Sequence, residues 1–376
     1  MKKSVFSHSL DGAWSAPFPD LDSPQTLVLV FGAPEYRDDP APFRELRAAF
    51  PKSHLIGCST AGEVFERQIR DRSLSVAAVK FDATRLECAS APVASAADSH
   101  AAGLKIAECL LEDDLRAIVV LSDGLHVNGT ALAAGLNSVL PASVIVTGGL
   151  AGDGPRFEST WTLGGDQLED NRVVAVGMYG EAVRIGHGSR GGWDIFGPER
   201  KVTRAEGSVL YELDGRPALD LYKEYLGDLA AGLPSTGLLF PLALRADETS
   251  ADQLVRTILG IDEANAALIF AGDIPVGHRA QLMQANFERL VMGAESAAQS
   301  ALLDTPDGLT IAISCVGRRL VLAERAEEEV EAVADVLGTG MSQIGFYSYG
   351  EISPYADGRC DLHNQTMTLT TLSEVA

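Results

Sequence analysis

Three short stretches set a glycine before a carboxylate in a similar local context: Gly62-Glu63, Gly152-Asp153 and Gly350-Glu351. Each follows an apolar run of strand length, and glycine there supplies backbone angles that other residues resist. Side chains with chemistry of their own stand around these bends. Cys58 and Ser59 precede the first, Gly149 the second, and Tyr347 and Tyr349 the third, with Cys315, Arg318 and Arg319 upstream and His363-Asn364 downstream. Bends gathered at one end of the sheets would line a pocket, because loops carry function and their glycines admit close approach. The expected ligand-binding set is Cys58, Ser59, Gly62, Glu63, Gly149, Asp153, Cys315, Arg318, Tyr347, Tyr349, Glu351, His363 and Asn364. Arg318 and Arg319 would grip a carboxylate there, while Glu351, Tyr347, Tyr349 and Asn364 would meet an amine and a polar tail. Strand alternation puts Tyr347 and Tyr349 on one face.

Two other chemistries are open to these residue types. A neutral histidine is a common axial ligand of haem iron, and the best placed of the seven histidines are His363 and His187. The sequence holds no C-x-x-C-H, which excludes covalent attachment, and a thiolate from Cys58 or Cys315 is an alternative ligand. A lone histidine is more often a hydrogen-bonded structural residue. Cys315 with His363 and Asn364 matches the residue types of thiol hydrolases, and Ser59 follows a strand as in a nucleophile elbow. The elbow requires glycine two residues after the serine and a helix behind it, whereas Ala61 and another strand follow here. No P-loop, dinucleotide fingerprint or H-E-x-x-H is present. The expectation is a chain that is not an enzyme, with a thiol-dependent hydrolase as the alternative.

Elements that position these residues recur along the chain. Thr26 to Ala33, a helix near Phe43 to Phe50, His54 to Glu63 and the strand Leu74 to Phe81 form one unit. Ala117 to Gly124, a helix from Thr130 to Leu140, Val144 to Asp153 and Val173 to Tyr179 repeat its order, as do Leu309 to Gly317, Glu327 to Leu337, Gln343 to Glu351 and Thr366 to Leu372. Apolar β-branched runs alternating with helices of about three turns predict an α/β fold with mixed sheets, made of repeated strand-helix-strand-strand units in two domains. The glycine-rich stretch from Gly186 to Gly197 reads as a hinge, Glu206-Gly207 as a hairpin turn, and Pro217 as the start of a helix over Ala218 to Leu226 that Gly227 closes. The expected divisions are an N-terminal segment 1–24, a first domain 25–205 and a second 206–376.

Composition narrows the partners. With 376 residues and 46% hydrophobic content the chain buries a large core. Acidic residues outnumber basic ones 52 to 30, a net charge of −22 that repels phosphate backbones and anionic lipids, so neither nucleic acid nor membrane insertion is expected. The N-terminal residues lack the apolar run of a secretory signal, and five scattered cysteines do not form a disulfide framework. A cytoplasmic location is the expectation.

Several motifs occur in order: Ile56 to Glu63, Gly148 to Gly154, Tyr211-Glu212-Leu213-Asp214-Gly215-Arg216-Pro217-Ala218, Ser314 to Arg318, and Gly345 to Ile352. Together they resemble the FIST family, with N-terminal and C-terminal FIST domains in tandem over about Thr26 to Leu372. The resemblance implies a bacterial sensory module that binds a small ligand and acts on a partner histidine kinase or a cyclic-di-GMP pathway. For the haem-containing subset of that family it implies nitric oxide as the signal. An amino acid or similar metabolite, sensed without haem, is the alternative, and a homodimer is possible. No output domain is expected within this stretch, so the resemblance implies a signal passed to a separate partner.

Overall fold

The computed structural model describes residues 1–10, 12–165, 167–247, 253–355 and 357–375. Each of the three units opens with an edge strand (Lys2–Ser9, Arg85–Pro92, Val183–Arg190) and continues with a first inner strand (Thr26–Gly32, Leu115–Ser122, Gly308–Cys315). A helix follows: Ala41–Ala49, Gly129–Asn137 or Ala326–Leu337. A second inner strand then runs parallel to the first (His54–Ser59, Ile145–Leu150, Met341–Ser348), and a return strand antiparallel to it closes the unit (Ser73–Lys80, Arg172–Tyr179, Met367–Glu374).

Between the second inner strand and the return strand each unit makes a hairpin, and that hairpin leaves its own sheet. The first unit's Glu63–Phe65 pairs with Met341–Ser348, the second unit's Thr162–Gly164 with His54–Ser59, and the third unit's Gly350–Pro354 with Ile145–Leu150. The exchange closes on itself, giving three six-stranded sheets around a pseudo-threefold axis. The inner strands are apolar on both faces, as strands covered on both sides must be. Leu27, Leu29 and Phe31 meet Val119, Leu121, Ile311 and Ile313 in a cluster on the axis, while Val28 and Val30 face outward beneath the first helix.

Residues 194–284 build a second domain around an eight-stranded sheet. Its hairpin turns at Glu206-Gly207 as expected, and the helix Ala218–Leu226 starts after Pro217 and stops at Gly227. The segment 206–376 is divided between the two domains, because residues 308–374 complete the three-sheet body. Of the stretch Gly186 to Gly197 expected as a hinge, the first part is corrected to strand, while the chain crosses to the second domain at residues 191–193. Val183–Arg190 is an edge strand paired along its whole length with Met367–Glu374. Its glycines admit the helix Phe287–Ser300: a Cβ at Gly186 would lie 2.3 Å from the Ala301 carbonyl oxygen, and one at Gly188 2.1 Å from that of Ala297. No helix among the described residues is long and apolar enough to cross a membrane.

Candidate functional site

The pseudo-threefold axis brings the three bends together at one end of the body. The Ala61 N–H donates to the Tyr347 carbonyl at 2.8 Å, the Gly152 N–H to that of Ser59 at 3.0 Å, and the Tyr349 N–H to that of Leu150 at 3.2 Å, so each unit holds another by the same backbone bond. Two bends share a buried carboxylate. Glu63 accepts from the Thr60 hydroxyl and from the Ser73 N–H and hydroxyl at 3.0 and 2.7 Å. Glu351 accepts from the Ser348 hydroxyl at 2.7 Å and from the Thr366 N–H and hydroxyl at 3.2 and 2.9 Å. Burial pushes both carboxyls up to about 8 against the opposing pull of those hydrogen bonds.

The second bend differs. The residue that pairs across to the neighbouring sheet, as Glu63 and Glu351 do, is Thr162, and residues 153–161 form an inserted loop. Asp153 anchors that loop. It takes the N–H groups of Phe157, Glu158 and Ser159 at 2.8 to 2.9 Å and the Tyr349 hydroxyl. Burial opposes ionisation there, but these hydrogen bonds outweigh it and hold the carboxyl below its ordinary value.

Several expected site residues turn out to be internal braces. Arg318 is fully buried; its guanidinium pairs with Glu329 at 2.6 and 2.9 Å and donates to the carbonyls of Leu290, Gln365 and Gly191, which leaves no fork for a ligand carboxylate. Glu329 also takes the hydroxyls of Ser314 and Tyr347, each at 2.8 Å. Tyr347 is therefore enclosed, while Tyr349 stacks on Phe157 with ring centroids 4.3 Å apart. Both tyrosines are buried in one core cluster, as their two-residue spacing suggests, but their hydroxyls go to different partners, Glu329 and Asp153. Cys58 and Gly149 lie inside the body, Ser59 accepts the Trp161 N–H at 3.0 Å, and burial raises the thiols of Cys58 and Cys315, which works against a thiolate at either.

Two cavities adjoin the bends, sharing Pro155, Val316 and Leu320 as a common wall. The first, about 630 Å³, is lined by Gly62, Glu63, Asp153 and Arg319. Arg319 is engaged there with Asp71 at 2.7 and 2.8 Å and with the Ala61 carbonyl at 2.6 Å. The second, about 650 Å³, lies between the two domains. The body contributes Leu150, Cys315, Tyr349 and Asn364, and the smaller domain Leu238, Thr257, Phe270 and Asp273. Thr257 Oγ1 and Asn364 Oδ1 are buried and make no hydrogen bond. Of the buried side-chain polar atoms left without a partner among the described residues, these two belong to residues that line this cavity, and none belongs to a residue lining the first. A buried polar atom without a partner costs about 1–3 kcal/mol.

Two interdomain contacts fix the cavity's floor. The Asn128 side chain caps the helix Gly129–Asn137 and donates to Asp273 at 3.0 Å. Arg256, buried behind Gly272, donates to the carbonyls of Asp273 and Leu362 at 3.0 and 2.9 Å. Thr257, Asp273 and Phe270 were not expected from sequence, since no motif or spacing distinguishes them from other residues of short strands and turns.

His363 and Cys315 line different cavities. His363 lines a cleft of about 540 Å³ together with His187. Its Nε2 donates to the Ser353 carbonyl at 3.0 Å, leaving the lone pair on Nδ1, and burial lowers its pKa to about 4. Burial also lowers that of His187. Neutral imidazoles on one cleft suit a haem iron; the flanking glycines do not add to the fit, because Gly188 is packed against a helix. Among the described residues no group of three His, Cys, Asp or Glu side chains is placed to hold a bare metal ion.

Comparison with known proteins covers nearly the same span. Residues 26–216 match the FIST N domain and residues 218–354 the FIST C domain. An uncharacterised protein of Mycobacterium tuberculosis is 29% identical over 267 residues, which is 67% of this chain and 66% of that protein, so the chain spans just under two thirds of the relative's length. One of Mycobacterium bovis is 28% identical over 255 residues, 62% of this chain and 61% of the relative. Among solved structures, the cyanuric acid hydrolase of A. caulinodans aligns over 99% of this chain and 98% of its own at a TM-score of 0.32 and 10% identity. That neighbour is an enzyme, so the expectation of a non-catalytic chain is withdrawn; a likeness at this TM-score assigns neither a reaction nor a residue.

Proposed function

The chain belongs to the FIST family, whose domains are signal-transduction sensors for small ligands, and we propose that its signal is a small molecule held in the cavity between the two domains. The observation that supports this site over the others is that two residues lining a 650 Å³ cavity, Thr257 from the smaller domain and Asn364 from the body, each keep a buried polar atom without a partner. Polar groups placed sparsely in an apolar pocket of this size are the usual furniture of a small-molecule site. Because both domains contribute, a ligand that contacts both favours the arrangement in which the walls close on it, and it shifts the equilibrium by its difference in affinity for the two arrangements. A separate partner, a histidine kinase or a cyclic-di-GMP enzyme, reads that arrangement.

A thermal-shift screen of polar metabolites on the full chain tests the site. At a hundredfold excess over Kd a true ligand stabilises by about 2.7 kcal/mol. The same compound is expected to lose its effect on Thr257→Val and Asn364→Leu. A screen with no stabilising compound, or stabilisation that both variants retain, sinks the assignment.

A second reading is supported by His187 and His363 lining one cleft. Haem bound there would supply an iron able to take up a diatomic gas such as nitric oxide, and the chain's part would be to present a neutral imidazole. Reconstitution with haem should give a Soret band that His363→Ala or His187→Ala shifts; unchanged spectra in both variants would remove this cleft from consideration.

A further inference from the structure

The walls of the interdomain cavity differ in the kind of head group they can receive. Asn364 Nδ2 donates to the His363 carbonyl at 3.1 Å, which fixes the amide so that Oδ1 is the group left over, and Oδ1 only accepts. Asp273 presents a carboxylate that accepts from Asn128 Nδ2 through one oxygen. Thr257 Oγ1 can accept or donate. No lysine, arginine or histidine lines the cavity among the described residues. The buried Arg256 behind Gly272 spends its N–H groups on the carbonyls of Asp273, Leu362 and Val255 and on Thr130 Oγ1, and the carboxylates of Asp361 and Asp273 both act on its charge. The polar side chains of the lining are the hydroxyls of Ser208, Ser235, Thr257 and Tyr349, the amides of Asn128 and Asn364, the Cys315 thiol and the Asp273 carboxylate; among the described residues Asp273 is its one charged group, set against an apolar surface of Leu238, Ile258, Phe270 and Leu320.

We propose that this cavity takes a small amine: an N–H-rich, cationic head received by Asp273 and Asn364, with Thr257 as a further acceptor, and an apolar body laid on the hydrophobic wall. The assignment rests on the interdomain cavity being the ligand site and adds the charge of the ligand to it. A carboxylate head is disfavoured for a physical reason. It would enter an apolar space with no cation among the described lining residues to meet it and the Asp273 carboxylate to repel it, and an unpaired charge in such a place is costly. An ammonium meets an opposite charge and acceptors together, and hydrogen bonds to charged groups are the stronger kind.

Isothermal titration of the full-length chain at neutral pH with three probes of one shape tests the head group: 2-phenylethylamine, 2-phenylethanol and 3-phenylpropionate. The amine is expected to bind at least tenfold more tightly than the carboxylate. Asp273→Asn, which keeps an oxygen for Asn128, is expected to weaken the amine at least tenfold and to leave the alcohol unchanged. Thr257→Val serves as an independent variant and is expected to weaken amine and alcohol alike. Equal or tighter binding of the carboxylate, an amine affinity indifferent to Asp273→Asn, or no binding by any probe would overturn the amine assignment. In each of those cases a metabolite that stabilises the wild-type chain and not Thr257→Val keeps the cavity as the sensor site, whereas the absence of any such metabolite removes both.

Discussion

Two polar regions are buried in this molecule, and they are finished to different degrees. Around Glu329 the acceptors and donors close on one another: Arg318, Ser314 and Tyr347 all converge on one carboxylate, and Arg318's remaining N–H groups reach backbone carbonyls. Around the interdomain cavity, Thr257 and Asn364 keep atoms that nothing in the chain satisfies. The first region is what a fold does with buried charge when its task is to lock a core, because a charge left unpaired there is strongly destabilising. The second leaves room for a partner supplied from outside, which is the role proposed for the ligand. Hydrogen bonding of the charged groups, more than residue type, separates this brace from the proposed site. Arg318 and Tyr347 look like ligand contacts in the sequence and are braces, while Thr257 looks ordinary and lines the interdomain cavity.

The comparison breaks most visibly at the brace. Arg318→Ala leaves Glu329 buried without its cation and is expected to cost about 3–5 kcal/mol, read as a lowered midpoint in urea unfolding. The double change Arg318→Met with Glu329→Leu should recover much of that loss, because it removes both charges together. A single variant as stable as the wild type would mean that the pair is not holding the core.

A second contrast sets the bends against His363. Glu63 and Glu351 have carboxyls raised to about 8, so the native chain binds more protons than the unfolded one between about 4.5 and 8, and their contribution to stability falls as pH rises through that window. His363 is lowered from 6.5 to about 4, so the unfolded chain binds more protons between those values, and its contribution is lost as pH falls through them. The two effects oppose each other between about 4.5 and 6.5; of these three groups only the carboxylates act above it. Stability is expected to decline from pH 6.5 to 8, and Glu63→Gln with Glu351→Gln to flatten that decline. Calorimetry across the range would refute the assignment if the double variant kept the wild-type slope.

How far these features were legible follows from their range in sequence. The units, the helix after Pro217 and the turn at Glu206-Gly207 are set by neighbours a few residues apart, and periodicity and glycine report such things directly. The convergence of the bends was readable because the repeat itself is. The exchange of hairpins was not, since Glu63–Phe65 carries no mark of pairing with a strand almost 280 residues later. Gly152-Asp153 misleads for a related reason: it reproduces the glycine-acid pair at the entrance of an inserted loop, while the residue in the equivalent strand position is Thr162. The glycines flanking His187 imitate a hinge because sequence cannot show the helix that packs on them. Thr257 and Asp273 acquire their meaning only when the domains are brought face to face.

At the cavity the expected change in stability is smaller than at the brace and opposite in sign. Thr257→Val removes a buried hydroxyl that has no partner, so the empty chain should gain up to about 1–2 kcal/mol while losing ligand-dependent stabilisation. Stability and binding moving in opposite directions is the signature of a group kept for a ligand. A variant that is destabilised by a comparable amount would instead place a hydrogen bond on Thr257 within the fold.

The smallest effect belongs to the residue next to the brace. Arg319 follows Arg318 in the chain, also forms an ion pair, and differs in where its partner lies: Asp71 is 65% exposed and Arg319 itself 24%, against zero for Arg318 and Glu329. Water and salt screen such a pair, and surface pairs contribute about 0–1 kcal/mol. Asp71→Asn is therefore expected to change stability by less than about 1 kcal/mol, with that change shrinking further in high salt. Arg319→Ala should cost somewhat more than Asp71→Asn, because Arg319 also donates to the Ala61 carbonyl at the bend, a bond that does not depend on the carboxylate. A double-mutant cycle between the two positions isolates the ion pair from that bond. A coupling as large as that at Arg318 and Glu329 would mean that burial is not what separates the two arginines, and the contrast between closed and open polar regions would lose its physical basis.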